Sequence, residues 1–406
     1  MKSEFTADFF RGNRERLRKL FTGTAPIVLT ANGLLQKATD ETFRFRQDGS
    51  FWYLTGIDEP NVILVMDKGK EYLIIPDLTP SRIAFDGAID TEVLSAKSGI
   101  AEVLLEKDGW KRLGGRLKRA SSVAVLSPAD TYIKALGMYT NPARQHLIRE
   151  MKRHNAKLTL LDLRQHLQRM RMVKQPAEIK TLTHAIAITT GALKKIERSF
   201  RKGQYKHEFE IEMDLTRYFW QGGGSGHGFE PIVAAGAKAS TIHPFGNTAR
   251  IRPNQPLLLD VAAAYDHYTA DISRCWTARP TKRYRAVYET VKEVADFAMA
   301  SLKPGVIMKE YEKQVEHMMG EKLRELGLIR TIEHEAVRQY FPHATSHFLG
   351  IDVHDLGDYG HPIEPGVIVT VEPGIYIPEE GIGIRIEDDI LITPEGSQNL
   401  SAGLAR

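Results

Sequence analysis

The apolar positions of this chain change period several times along its length, and the changes mark out its elements. Over residues 8–20 the spacing predicts an amphipathic helix, with Phe9, Leu17 and Leu20 on one side and arginines elsewhere. Strand-like runs follow at 26–31, 61–67 and 71–77, the last two separated by Lys68, Gly69 and Lys70 as in a hairpin. Between them, the stretch 44–56 (RFRQDGSFWYLTG) reads as a turn followed by an aromatic, strand-like run. Helical segments around 100–118 and 142–153 alternate with strands at 122–127 and 159–163. This is an α/β pattern of about 165 residues, enough for one complete domain.

The period then becomes helical. Pro176 suits a helix first turn, and Glu178 lies in that turn, where negative charge is favoured. Ile179, Leu182, Ala185, Ile186 and Thr189 share one face. A domain boundary just ahead of this helix divides the chain into residues 1–165 and 166–406. A second helical pattern, 207–221, ends at the glycine run 222–228, a loop by composition. That run is not a phosphate cradle, because no Lys-Ser/Thr follows and no strand precedes it. Beyond it the pattern predicts a strand at 230–236, helices over 283–301 and 308–326, and two β-hairpins, 257–276 and 367–393. Each hairpin lies near a pair of helices in sequence, which suggests two related halves. The fold class expected is α/β (α+β).

Composition narrows the function classes. The 406 residues carry a formal net charge of +4, with basic residues spread along segments such as 11–19 and 164–172. Solvated helix faces explain that distribution, whereas a nucleic-acid footprint needs a clustered patch. The single cysteine, Cys275, excludes an intramolecular disulfide and suits a reducing compartment. The first residues lack the apolar core of a signal peptide, and no run reaches the ~18 apolar residues of a membrane span. A cytoplasmic protein without nucleic-acid or membrane partners is expected.

The chemistry lies in the two hairpins. Asp260 and Asp271 are expected opposite each other if the first turn is centred between Tyr265 and Asp266. Glu372 and Glu387 are opposed if the second is centred between Glu379 and Glu380, in a Pro-Glu-Glu-Gly turn. Opposed residues have Cβ atoms about 4.5–5.5 Å apart, and like charges so placed repel. The strands are rich in Leu, Ile and Val, so both pairs should be partly buried, and buried unpaired carboxylates are costly. Two such pairs imply a bound cation. Strand alternation puts Arg385 on the Glu387 face, while Asp388 and Asp389 read as structural acids. His343, His347 and His354 fall between the hairpins, and His243 lies upstream. An oxygen-rich ligand set favours Mn²⁺ over a structural zinc site.

In order and local sequence, the series Asp260, Asp271, His347, Glu372, Glu387 resembles the dinuclear metallopeptidases of the pita-bread fold. The segment FRQDGSFWYLTG is similar to the first domain of Xaa-Pro aminopeptidases and prolidases. The resemblance implies an amino-terminal α/β domain followed by a pita-bread domain, usually assembled as a homodimer or homotetramer. The implied activity is hydrolysis of the bond between an amino-terminal residue and proline by two divalent ions, Mn²⁺ first, with Co²⁺ or Zn²⁺ as alternatives. All five residues of the series match metal ligands. Glu372 matches the general base and acid, and His243 and His354 match histidines that contact substrate and stabilise the tetrahedral intermediate. His343, Tyr376 and Arg385 match the proline pocket, and Asp40 and Arg164 match first-domain residues linked to the Arg385 position. Two residues depart from the family pattern: Pro244, where tyrosine is common, and Ala84, where some aminopeptidases have a tryptophan covering a neighbouring subunit's site. These departures favour a dipeptidase (prolidase), whereas Asp40 and Arg164 favour an aminopeptidase. A non-catalytic chaperone-like module of the same fold is the alternative of a different class, but such relatives typically lose metal ligands.

Overall fold

A computed structural model describes residues 3–128, 133 and 135–406, and the chain forms two compact units. The first spans Phe5–Met170; the second spans Arg171–Arg406, with Ser3 and Glu4 packed on it.

The first unit is built on a mixed six-stranded sheet. In chain order its strands are β1 (Ile27–Thr30), β2 (Ile63–Asp67), β3 (Lys70–Ile75), β4 (Val103–Leu105), β5 (Ser122–Val125) and β6 (Thr159–Asp162), in the spatial order β4-β3-β2-β1-β5-β6. The helices Glu106–Leu117 and Ala143–His154 bury Leu113, Leu117, Leu147 and Met151 against Val28, Val65, Ile74 and Val123 of the sheet.

Two expectations for this unit are corrected. The first helix is Ala7–Leu20, but its buried face is Phe10, Asn13, Arg14 and Leu17, while Leu20 is exposed. The two polar members are buried because they bond the backbone of a neighbouring helix. Asn13 Nδ2 donates to the Tyr53 carbonyl at 2.7 Å and Arg14 Nη1 to the Leu54 carbonyl at 2.7 Å. That neighbour is the second correction, since the aromatic run is not a strand but a helix, Gly49–Thr55, buried along its whole length. Asp48 caps it by accepting from the Ser50 and Phe51 amides at 3.0 and 2.9 Å, and Gly56 closes it in the left-handed region at φ 68°. The β propensity of Phe, Trp and Tyr is overridden by a cap, a stop and burial on all sides.

The second unit has two halves of like composition. The first packs helices Pro176–Arg201 and Glu208–Gln221 on the antiparallel sheet of β7 (Ile232–Ala235), β8 (Leu257–Val261) and β9 (Ile272–Trp276). The second packs helices Lys282–Ser301 and Met308–Glu325 against two strand pairings. These are a three-stranded antiparallel sheet of β10 (Ile368–Val371), β13 (Asp388–Thr393) and β14 (Gly396–Asn399), and the hairpin β11 (Gly374–Ile377)/β12 (Ile382–Arg385). Pro176 does begin its helix, with a reciprocal Gln175/Glu178 capping box. Leu182, Ala185, Ile186 and Thr189 are buried as the spacing predicts, and Ile179 is half-buried. The glycine run is not wholly loop: Gly226–His227 adds a short strand beside Ala263 and Ala264.

Gly383 is a point of close approach. A Cβ there would lie 1.8 Å from the carbonyl oxygen of Ala239, in the turn that leads to His243. Backbone cannot yield as a side-chain tip can. Gly383→Ala is therefore expected to lower unfolding stability by about 3 kcal/mol or more, measured by urea denaturation.

Candidate metal centre

The two hairpins have different registers from each other relative to expectation. In the second, Ile377 pairs with Ile382 and Val371 with Asp388, so the turn is centred between Glu379 and Glu380 and Glu372 falls opposite Glu387, as the spacing predicts. In the first, Asp260 lies opposite Ser273, not Asp271. The turn there is Asp266-His267, both with positive φ (45° and 72°), a two-residue hairpin turn one position further along than expected. Asp271 is nevertheless on the same face as Asp260, because it is two residues from Ser273. The two acids are diagonal neighbours rather than a facing pair.

Ser273, which sequence reasoning missed, occupies the position expected for Asp271 and organises the site. Its Oγ donates to Glu387 Oε2 at 2.6 Å and accepts from Arg385 Nε at 2.9 Å. The period-two spacing Asp271-Ile272-Ser273 was the available signal. Arg385 is buried and also donates to Asp260 Oδ2 at 2.6 Å and to the Tyr376 hydroxyl at 2.7 Å. That hydroxyl lies 2.9 Å from His343 Nε2, while His343 Nδ1 faces the Ala344 carbonyl at 2.8 Å. Burial works against the Arg385 charge, but Tyr376, Asp260, Glu387 and Glu372 outweigh it and hold the guanidinium protonated.

His347 sits among the acids. Its Nδ1 faces the Phe348 carbonyl at 3.1 Å, which puts the proton on Nδ1 and leaves the Nε2 lone pair free. Nε2 is 3.3 Å from both Asp271 Oδ2 and Glu372 Oε1. Burial lowers the His347 pKa to about 3, so the ring is neutral. A lone pair aimed at two carboxylates is repulsive unless a cation lies between them. Ligand atoms of Asp271, His347 and Glu387 also lie within 4.8 Å of one another, and Asp260 Oδ1 is buried without a hydrogen-bond partner. Without a cation, burial and mutual repulsion push Asp271 and Glu387 well above the carboxylate range; burial raises Glu372 to about 8. Each of these features fits a divalent metal ion and opposes an empty cluster of acids.

The remaining candidates lie around this cluster. The His354 ring is 4.5 Å from that of His347, nearly perpendicular to it, on the exposed side. His243 is exposed in the loop after Gly236–Ser240; burial is the main cause that lowers the protonation of His343 and His354, and the nearby His243 adds to it. Asp388 and Asp389 are buried and structural. Asp388 takes Arg274 Nη2 at 2.7 Å and the Ser401 hydroxyl at 2.6 Å, and Asp389 accepts the Asp271 amide at 3.2 Å. Glu312 was also missed. It accepts the Thr345 and Ser346 amides at 2.9 Å each and so fixes the segment entering His347, but a single glutamate on a helix carries no sequence signal. Asp40 and Arg164 belong to the first unit. Asp40 is exposed in the turn between bridged Gln36 and Thr42; Arg164 lies 3.5 Å from Asp162 and donates to the Pro128 carbonyl at 3.4 Å. Pro244 follows His243 in the same loop, and Ala84 lies in the helix Pro80–Asp86 of the first unit.

The chain belongs to metallopeptidase family M24, whose pattern matches residues 180–394 and spans both hairpins and the histidine segment; the amino-terminal domain of aminopeptidase P matches residues 10–125. Over its whole length it is similar to the Xaa-Pro aminopeptidase of Escherichia coli, with 30% identity covering 96% of that protein. Xaa-Pro aminopeptidase 1 of Streptomyces coelicolor is 29% identical over 94% of this chain and 81% of its own length. Among solved structures, E. coli aminopeptidase P in its low-pH form has a TM-score of 0.86 at 27% identity, covering 100% of this chain and 97% of its own. Proline aminopeptidase P II from Yersinia pestis has a TM-score of 0.85 at 27% identity, over 99% and 97%.

Proposed function

We propose that this chain is a Xaa-Pro aminopeptidase, hydrolysing the bond between an amino-terminal residue and proline in peptides. The observation that carries this is the bare His347 Nε2 facing Asp271 and Glu372 at 3.3 Å inside a buried acid cluster. The full-length likeness to Xaa-Pro aminopeptidases supports the substrate class. Asp260, Asp271, His347, Glu372 and Glu387 would hold two divalent ions, Mn²⁺ by preference. Ions of this kind lower the pKa of a bound water and polarise the scissile carbonyl.

The protein's own groups do the rest. Glu372 takes the proton of the attacking water and returns it to the proline nitrogen, which must be protonated to leave. Its oxygen near Thr370 is fixed by that hydroxyl at 3.3 Å. His354 and His243 contact the substrate from the open side and stabilise charge on the tetrahedral carbon's oxygen. His343, Tyr376 and Arg385 wall the pocket for the proline ring, and Arg385 holds Asp260 by one oxygen so that the other is free for metal. Support for the pocket comes from E. coli aminopeptidase P, solved with the inhibitor Pro-Leu.

Residues 1–165, which carry Asp40 and Arg164, form the aminopeptidase P-like domain in this reading and 166–406 the catalytic one. The protein acts in the cytoplasm as a homodimer or homotetramer on peptide substrates, without nucleic-acid or membrane partners. No helix among the described residues is long and apolar enough to cross a membrane. A substrate panel tests the reading. With Mn²⁺ present, a tripeptide with proline second should lose its first residue at least about 100-fold faster than the same peptide with alanine second, as expected when a built pocket loses its partner. Cleavage confined to Xaa-Pro dipeptides would assign a prolidase; no cleavage of any of these would leave the binding-module alternative.

A further inference from the structure

A buried ionic cluster lies outside the metal centre and has no part in the chemistry above. Arg171 is almost fully buried and donates through Nη2 to Asp352 Oδ2 at 2.8 Å and to Asp355 Oδ1. Lys174, also buried, brings Nζ within 3.7 Å of Asp355 Oδ2. Both aspartates flank His354 in the irregular loop from Phe348 to Leu356. Asp355 closes that loop at both ends: its amide donates to the Phe348 carbonyl at 2.8 Å and its Oδ1 accepts the Leu356 amide at 2.8 Å. Gly350 lets the carboxylate in, since a Cβ there would lie 1.9 Å from Asp355 Oδ2. The same stretch of chain reaches the Asp271 strand, where Glu178 Oε1 accepts the Tyr268 hydroxyl at 2.8 Å and the Gly350 carbonyl accepts the Thr269 amide at 3.1 Å.

We infer that Arg171 and Lys174, acting through Asp352 and Asp355, are positioning residues that set the His354 ring over His347. This rests on the reading of His354 as a substrate-contacting residue. Buried ion clusters are poor sources of stability compared with apolar packing, and their attested use is to select one conformation. Here the selected conformation has an address. The loop has no helix or strand to fix it, and its two anchoring carboxylates lie on either side of one exposed histidine. A side chain misplaced by about 1 Å can lose about 100-fold in rate, so the cluster governs turnover without touching substrate.

The test is a double-mutant cycle on the full-length, Mn²⁺-loaded protein, with a proline-second tripeptide as substrate. Arg171→Lys keeps the charge but shortens the side chain, so one nitrogen no longer reaches both Asp352 and Asp355. It should lower kcat about 10-fold with KM within about twofold and metal content unchanged, as expected for a geometric loss. In the His354→Ala background the same substitution should cost less than about twofold, because the group it positions is gone. Equal losses in both backgrounds would overturn the inference and mark the cluster as merely structural. If His354→Ala alone leaves kcat unchanged, the reading of His354 fails instead, and the inference fails with it. Should Arg171→Lys not fold, Asp352→Asn, at a half-exposed side chain, carries the same cycle with the same outcomes.

Discussion

Glu372→Gln should lower kcat by on the order of a thousandfold or more while leaving KM within a few-fold. Glutamine keeps the shape of the side chain and its place opposite Glu387 on the hairpin. It cannot accept a proton, and it turns one of two carboxylate oxygens into a donor. The affected oxygen would face either the His347 side or the His343 side of the site, 3.3 and 3.8 Å away respectively. The proton needed by the proline nitrogen then has no nearby source, because neither histidine is protonated at neutral pH, each having a pKa of about 3 through burial. Steady-state kinetics beside metal analysis separates the two roles of the residue. Loss of turnover with metal retained identifies the proton carrier, whereas kcat within tenfold of wild type with metal bound would refute that assignment.

The second large effect concerns the metal-free protein. Unfolded carboxylates titrate near pH 4, by general values. Folded and without metal, Glu372 is raised to about 8, and Asp271 and Glu387 are raised too, burial being the first cause for all three. Between those limits the folded form binds more protons than the unfolded one, so stability falls as pH rises. A bound cation needs these groups ionised, and that removes the penalty. The difference in Tm between metal-loaded and chelator-treated protein should therefore widen from pH 5 to pH 8. His343 and His347 have the opposite sign, since their depressed pKa destabilises the fold as pH falls below their unfolded value. In the folded protein both are neutral over this window with or without metal, and the unfolded chain is common to the two samples, so their contribution cancels in the difference. Calorimetry at the two pH values checks this, and a gap that does not change would show that the three acids are not metal ligands.

Much of the fold was legible because its signals are local. Pro176 with Glu178 marks a helix start, and the alternation Arg385-Ile386-Glu387 assigns a face. The Pro378-Glu379-Glu380-Gly381 turn fixed the second hairpin, since Gly381 takes the positive φ that the turn needs. The first hairpin turns one position further along than its spacing suggests, because Asp266 and His267 adopt positive φ without a glycine to announce it. That shift replaced a facing acid pair with a diagonal one and hid Ser273, the hydroxyl that joins Glu387 to Arg385. The helix Gly49–Thr55 is concealed in the sequence for a different reason. Its cap and stop, Asp48 and Gly56, were present in the sequence, but the aromatic run between them has the residue types of a strand. Glu312 and the Arg171–Asp355 cluster act across long sequence separations, so only the folded chain brings their partners together.

Whether the acid cluster with His347 is a metal centre acting on Xaa-Pro bonds is tested most directly by titrating metal-free protein with Mn²⁺ while following release of the first residue from a proline-second tripeptide. Activity should be absent at the start and rise to a plateau at two ions per chain. Full activity in the metal-free protein, or a metal-saturated protein that leaves the Xaa-Pro bond intact, would contradict that reading.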